Sequence, residues 1–212
     1  MSQYSLDPIA VDCYPGTTVL INKFGIKDEK ALLQAEIEVT QEASACWEIS
    51  PGQSSFDFEH YKAIHRHMFH DLYDWAGRTR NVDISKKGAR FCPHNDIEDL
   101  AGRIFAGLRK SNYLKGLVKS KFISSFIKLY VTTNYLHPFR EGNGRTQRLF
   151  LAQLTRNAGF SLDFADIDVD DLMIATMQSA HGVEDGLKQI FTKAVHSTSS
   201  LLDNLQREIT NM

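Results

Sequence analysis

The chain has 212 residues, of which 42% are hydrophobic and 24% charged, and a formal net charge of −2. That length suffices for one domain with a real core, with or without a small appendage, and the composition is ordinary for a soluble globular protein. A balance this close to neutral leaves no electrostatic footprint for a polynucleotide, so no direct nucleic-acid partner is expected.

Cys13, Cys46 and Cys92 are odd in number, widely separated and without metal spacing, and read as free thiols in a reducing compartment. No basic-then-apolar leader opens the sequence and no apolar run approaches the length of a membrane span. The expectation is a cytoplasmic protein with no membrane partner, although secretion through a specialised apparatus would leave no mark here.

Residues 1–25 show little periodicity and are punctuated by Pro8, Pro15 and Gly16, which predicts an irregular arm packed through Tyr4, Tyr14, Leu20 and Phe24. Asp28 is a good N-cap for a helix to about residue 45, with Leu32, Leu33, Ala35, Ile37 and Val39 apolar and Glu36, Glu38 and Glu42 on the other side. Pro51-Gly52-Gln53-Ser54-Ser55 marks a loop. Asp57 then opens a second helix, in which Phe58, Tyr61, Ile64, His65, Met68, Phe69, Leu72 and Trp75 recur at threes and fours until Gly77. Its histidines at 60, 65, 67 and 70 lack the His-Glu-x-x-His arrangement and have no cysteine nearby, so they read as core and surface residues rather than metal ligands.

From residue 81 the period changes. Val82 and Ile84 alternate with polar residues, Lys86-Lys87-Gly88 supplies a turn, and Arg90-Phe91 resumes beyond it, which predicts one short β-hairpin. An exposed edge there can accept an extended partner segment by strand addition, so Val82, Asp83, Ile84, Ser85, Lys86, Lys87 and Gly88 form a candidate target-docking flap.

Helical patterns fill the remainder. One is capped by Asn95 or Asp96 and runs to about residue 111, with Ile97, Leu100, Ile104, Phe105 and Leu108 inward. The next, from Ser120 to Leu136, is apolar around much of its girth and predicts a buried helix. A third runs from about Asn143 to Gly159, and two more lie near 168–180 and 183–195. In the tail, Leu201, Leu202, Leu205 and Ile209 have helical spacing, which fits a docked helix, a partner-binding helix or a frayed end equally well. The expected division is an arm and helix over 1–55, a main domain over 56–195 and a tail over 196–212.

The chemistry is concentrated at His137-Pro138-Phe139-Arg140-Glu141-Gly142-Asn143-Gly144-Arg145-Thr146-Gln147-Arg148, directly ahead of an apolar helical run. Gly142-Asn143-Gly144 lies where a helix begins, so its N–H groups and the positive end of the helix dipole make an anion site suited to phosphate. Arg145 and Arg148, three residues apart, share a helix face and present planar forks to phosphate oxygens. Glu141 is the only acid in the stretch. Beside phosphates it calls for a mediating cation, and Mg²⁺ is the expected one. His137 is the group able to accept a proton near neutral pH. Together the parts describe a nucleotide polyphosphate, a divalent ion and a base that activates a hydroxyl.

This stretch resembles the signature of Fic-domain proteins, His-x-Phe-x-(Asp/Glu)-Gly-Asn-Gly-Arg-x-x-Arg, with every position filled. Residues 82–88 with Phe91 resemble the family's flap, residues 71–77 resemble the helix end before it, and the likeness spans roughly 56–195. The resemblance implies an all-α helical bundle with one short β-hairpin flap over the active site. It implies protein adenylylation, the transfer of AMP from ATP to a Ser, Thr or Tyr hydroxyl of a target protein. His137 would be the base and Glu141 the Mg²⁺ ligand. Asn143 with the Gly142 and Gly144 amides would hold the α-phosphate, Arg145 the phosphates, Arg148 the γ-phosphate, and Phe139 would anchor the loop in the core. The family's inhibitory (Ser/Thr)-x-x-x-Glu-(Gly/Asn) motif is missing, since the only Glu followed by Gly or Asn is Glu141. That resembles the Fic toxins held by a separate small antitoxin, which would supply a glutamate opposite Arg148. The targets so implied are the ATPase subunits of DNA gyrase and topoisomerase IV. Two rivals are a Fic effector acting on host proteins or using another nucleotide, and a non-catalytic interaction module. Kinase-like relatives replace Gly144-Arg145 with Asn-Lys and fit less well.

Overall fold

The computed structural model describes residues 12–50, 54–86 and 89–198. Among them are the helices α1 Glu29–Ile49, α2 Phe58–Phe69, α3 Ile97–Lys110, α4 Lys119–Leu136, α5 Asn143–Asn157, α6 Val169–Ser179 and α7 Asp185–Ala194. The short strands β1 Ser85–Lys86 and β2 Ala89–Arg90 pair antiparallel, Ser85 opposite Arg90. The predicted helical architecture with a small hairpin is therefore present. Tyr4, the turn residues Lys87 and Gly88, Pro51 to Gln53 and the tail from residue 199 lie outside the described residues.

The chain divides into two compact units, one of Met1–Arg103 with Asn134–Thr146, the other of Ile104–Thr133 with Gln147–Met212.

In the first unit, α1 starts where Asp28 Oδ1 accepts the Ala31 N–H at 2.8 Å, and α2 where Asp57 Oδ1 accepts the His60 N–H at 2.8 Å. These side-chain caps satisfy donors that have no carbonyl within the helix. The two helices pack on each other: His67 Nε2–H donates to Ala43 O at 2.9 Å, and the Trp47 ring lies 4.9 Å from that of His67. Two expectations about these helices are corrected. In α1 the inward face is Leu32, Glu36, Thr40 and Trp47, while Leu33 and Ile37 are 49% and 39% exposed. Glu36 belongs inside because a cation meets it there. The second helix ends at Phe69 rather than Gly77: Gly77 N–H donates to His65 Nδ1 at 2.8 Å, so the chain has already folded back onto the helix that it was expected to extend. In the arm, Val19 and Leu20 are buried but Phe24 is half exposed, contrary to expectation, because the turn through Gly25 (φ 68°) carries it outward.

In the second unit, Phe191 of α7 is a hub, with the rings of Phe126 and Tyr130 edge-on at 4.9 and 5.3 Å. Phe122 stacks on Phe160 at 4.4 Å, and α6 packs against α7. Sequence reading missed a second ribbon here, β3 Phe160–Leu162 antiparallel to β4 Val195–Ser197. Three-residue strands are too short to show a period: Val195 falls at the end of the helix expected near 183–195, and Phe160 and Leu162 lie between expected helices.

Candidate active site

Residues 137–142 form the loop between α4 and α5, within the first unit. His137 takes a left-handed backbone, φ 40°, which a side-chain-bearing residue adopts only when its surroundings enforce it. Its ring is oriented by Nδ1–H donating to Asn134 O at 2.8 Å. That bond fixes the neutral tautomer with Nε2 as the proton-accepting nitrogen. Phe91, just beyond the flap, stacks on the imidazole at 3.7 Å with the planes 11° apart, and His137 is only 6% exposed. Burial pushes its pKa down to about 3; the positive charges of Arg80 and Lys86 act in the same direction, and the bond to Asn134 O opposes them. At neutral pH the residue is in its basic form.

Phe139 is fully buried, its ring 3.8 Å from that of His65 and stacked 5.8 Å from Tyr61. Asn143 closes the loop with both ends of its amide: Oδ1 accepts the Phe139 N–H at 2.8 Å and Nδ2 donates to Phe139 O at 2.7 Å. The first bond along α5 is Thr146 N–H to Gly142 O, so the N–H groups of Asn143, Gly144 and Arg145 precede the intrahelical ladder at its positive end. Glu141 folds its carboxylate back to accept the Gly142 N–H at 2.8 Å. Burial raises its pKa, and the nearby charge of Glu36 adds to the rise. Arg145 lies over the Phe69 ring at 4.8 Å, 3.6 Å from Glu141 Oε1 and 2.6 Å from Glu36 Oε2. His137, Glu141, Gly142, Asn143, Gly144 and Arg145 are thus gathered in the first unit; Arg148 falls in the second unit, where it is exposed.

The Fic/DOC family model matches residues 55–155. A probable protein adenylyltransferase Fic of Salmonella typhimurium is 37% identical over 182 residues, which is 86% of this chain and 90% of that protein. The chain belongs to the Fic/DOC family. Another relative, a probable protein adenylyltransferase of Sinorhizobium fredii, is 40% identical over 177 residues, 83% of this chain and 89% of its own length. The Fic fold is shared with a solved structure of the Bartonella tribocorum effector BepC with bound AMPPNP, at TM-score 0.81 and 28% identity over 88% of this chain and 96% of that one. This Fic protein is a protein adenylyltransferase.

Sequence reasoning missed two residues that hold the Fic loop in place. Arg80 is buried and donates to three carbonyls: His137 O at 2.9 Å, Val82 O at 2.7 Å and Cys92 O, while its own N–H reaches Pro138 O at 2.8 Å. One guanidinium therefore ties the His137 backbone to the base of the flap. The sequence carries no signal for these bonds, since the atoms that accept them are main-chain carbonyls. His65 accepts from Gly77 N–H at Nδ1, which leaves Nε2–H to donate to Glu141 O at 3.0 Å. Burial drives its pKa down to about 3, so it supports the loop as a neutral ring. Of the flap residues, Ile84 is buried and Asp83 accepts the N–H of His94 at 2.8 Å and its Nδ1–H at 2.9 Å; Ser85 and Lys86 are partly exposed.

Gly142 has two reasons to be glycine. Its φ is 79°, and a Cβ would lie 2.3 Å from Cζ of the fully buried Phe69 ring. Gly142→Ala is expected to cost about 2–4 kcal/mol from the overlap and the left-handed backbone, measured by denaturant unfolding, and to lower transfer because the loop must shift. An unchanged unfolding midpoint would show that the ring moves freely.

Proposed function

We propose that this protein takes ATP as its nucleotide and transfers AMP to a Ser, Thr or Tyr hydroxyl of a target protein. The observation that carries the reading is the tautomer-locked, unprotonated His137 set immediately before a helix N-terminus flanked by Glu141 and Arg145. His137 Nε2 accepts the hydroxyl proton as oxygen attacks the α-phosphorus, and pyrophosphate departs in line. Positioning and charge neutralisation supply most of the acceleration in such a step. The amides of Gly142, Asn143 and Gly144 receive the α-phosphate, with the Glu141 carboxylate leaving the Gly142 N–H when nucleotide enters. Arg145 contacts the phosphates, and Arg148 keeps the γ-phosphate role that the resemblance gives it.

The donor set suits Mg²⁺. Among the described residues no three His, Cys, Asp or Glu side chains gather to cage a metal, so Glu141 would hold the ion as a single carboxylate with phosphate oxygens and water completing its shell. Bound there, Mg²⁺ would neutralise phosphate charge.

The proposed target surface is the flap of Val82 to Gly88, which receives an extended segment along its edge. The biological role proposed is that of a toxin acting on the ATPase subunits of DNA gyrase and topoisomerase IV in the cytoplasm. A separate antitoxin restrains it through a glutamate opposite Arg148. The support is the absent (Ser/Thr)-x-x-x-Glu-(Gly/Asn) motif and the resemblance. Likeness to a translocated Bartonella effector favours a second reading, in which the target is a host protein. No helix among the described residues is long and apolar enough to cross a membrane.

The deciding experiment incubates the protein with Mg²⁺ and bacterial or eukaryotic lysate, using ATP labelled at the α- or the γ-phosphorus. Label is expected on protein from the α position only, and in the bacterial lysate. Label from the γ position alone would replace adenylylation by phosphorylation, and labelling only in the eukaryotic lysate would replace the toxin reading by the effector reading.

A further inference from the structure

The N-terminal helix α1 lies outside the matched residues 55–155, yet it grips one of the signature residues. Glu36 is 5% exposed, and its carboxylate is used at both oxygens: Oε1 accepts from Tyr73 Oη–H and Oε2 from Arg145 Nη2 at 2.6 Å. From the next turn of α1, Thr40 Oγ1 accepts from Arg145 Nη1 at 3.3 Å, while the Glu36 carbonyl lies 3.5 Å from the same nitrogen. We infer that Glu36 is a positioning residue for phosphate recognition, fixing the Arg145 guanidinium in the orientation that meets the nucleotide.

This inference rests on the reading of Arg145 as a phosphate contact. A guanidinium is a planar fork with five donors. The hydrogen bonds to α1 occupy one side of the fork, and Glu141 Oε1, at 3.6 Å from Nη2, marks the side that faces the loop. A fork held on one side presents the other with little ordering left to do when an anion arrives. Glu36 also determines which acid Arg145 pairs with. Without it, the remaining carboxylate beside the guanidinium is Glu141, four residues earlier on the chain, and pairing there would draw Arg145 onto the residue proposed to hold the cation. Nor is Glu36 placed to act as a movable brake that competes with phosphate. Its carboxylate is buried, fastened by the Tyr73 hydroxyl and anchored on a helix whose face also buries Leu32 and Trp47.

The test uses the full chain and a fluorescent ATP derivative, titrated in EDTA so that only protein groups bind the phosphates. The proteins compared are the unchanged chain, Glu36→Gln, Arg145→Ala and the double variant. Glutamine keeps the size of Glu36 and an acceptor for Tyr73 while removing the charge. Glu36→Gln is expected to weaken binding about tenfold, the scale of one charge-assisted hydrogen bond, and the double variant to be no weaker than Arg145→Ala. At saturating ATP the effect on kcat should be smaller than on KM. Thr40→Val, which removes the second contact and leaves the acid, should show a smaller loss in the same direction, and it carries the test if Glu36→Gln unfolds. Unchanged binding in Glu36→Gln, tighter binding, or a full additional loss in the double variant would each overturn the inference. If Arg145→Ala itself bound normally, the phosphate role of Arg145 would fall instead.

Discussion

Replacing His137 by alanine is expected to lower AMP transfer by about 10²- to 10⁴-fold, the range of a lost general base, while nucleotide binding stays within a few-fold of the unchanged protein. The split follows from where the ring sits. Its Nδ1–H is committed to Asn134 O, so Nε2 is the acceptor, and the groups proposed to bind phosphate belong to the other end of the loop. The free protein's kcat/KM reports the pKa of its own essential base. With His137 held down to about 3 by burial and by the neighbouring Arg80 and Lys86, kcat/KM should not decline on its account between pH 8 and pH 5. Single-turnover transfer of α-phosphorus label and a parallel nucleotide titration test both parts. A variant that transfers at normal speed, or an acid limb centred near pH 6.5 in the unchanged protein, would remove His137 from this role.

What the sequence disclosed and what it hid divide along one physical line. The starts of α1 and α2 were readable because Asp28 and Asp57 cap amides three residues away, and the loop stood out because its candidate site residues lie within twelve consecutive positions. Glu36 and Arg80 were not. The spacing of Leu32, Glu36 and Thr40 is a perfectly helical stripe, but a stripe with an acid in the middle reads as the solvent face until the partner is known, and that partner is Arg145, 109 residues later. Meanwhile Leu33 and Ile37 offered a more apolar face that the fold leaves exposed. Arg80 is harder still, since the bonds that tie it to the loop and the flap end on carbonyls that every residue possesses. The end of α2 failed for a related reason: Leu72 and Trp75 continue the apolar period, yet Leu72 is buried within a turn because Gly77 has come back to His65. Local hydrogen bonds leave a signature in sequence, and those that join distant segments do not.

The same two buried imidazoles make acid stability the second large expectation. His65 and His137 are held to about 3 in the folded protein, mainly by burial, against an ordinary 6.5 in the unfolded chain. Below pH 6.5 the unfolded chain takes up both protons while the folded protein takes up neither until near pH 3. Stability is therefore complete above pH 6.5 and falls as pH drops below it, by about 1.4 kcal/mol per pH unit for each ring, or about 2.7 for the pair. By pH 5 this amounts to about 4 kcal/mol, a large share of a typical total of about 5–15 kcal/mol. Glu141 works against the trend: burial raises its folded pKa, so it contributes stability that is present at low pH and lost as pH rises through the folded value. It carries one proton against the two of the histidines, so the net slope below pH 6.5 keeps the sign that the histidines set. Denaturant unfolding at half-unit steps from pH 6.5 to 5 should give a slope in His137→Ala that is shallower by about 1.4 kcal/mol per pH unit than in the unchanged protein. Equal slopes in the two proteins would mean that His137 protonates in the folded state as readily as in the unfolded one, and the flat kcat/KM expected between pH 8 and pH 5 would fail with it.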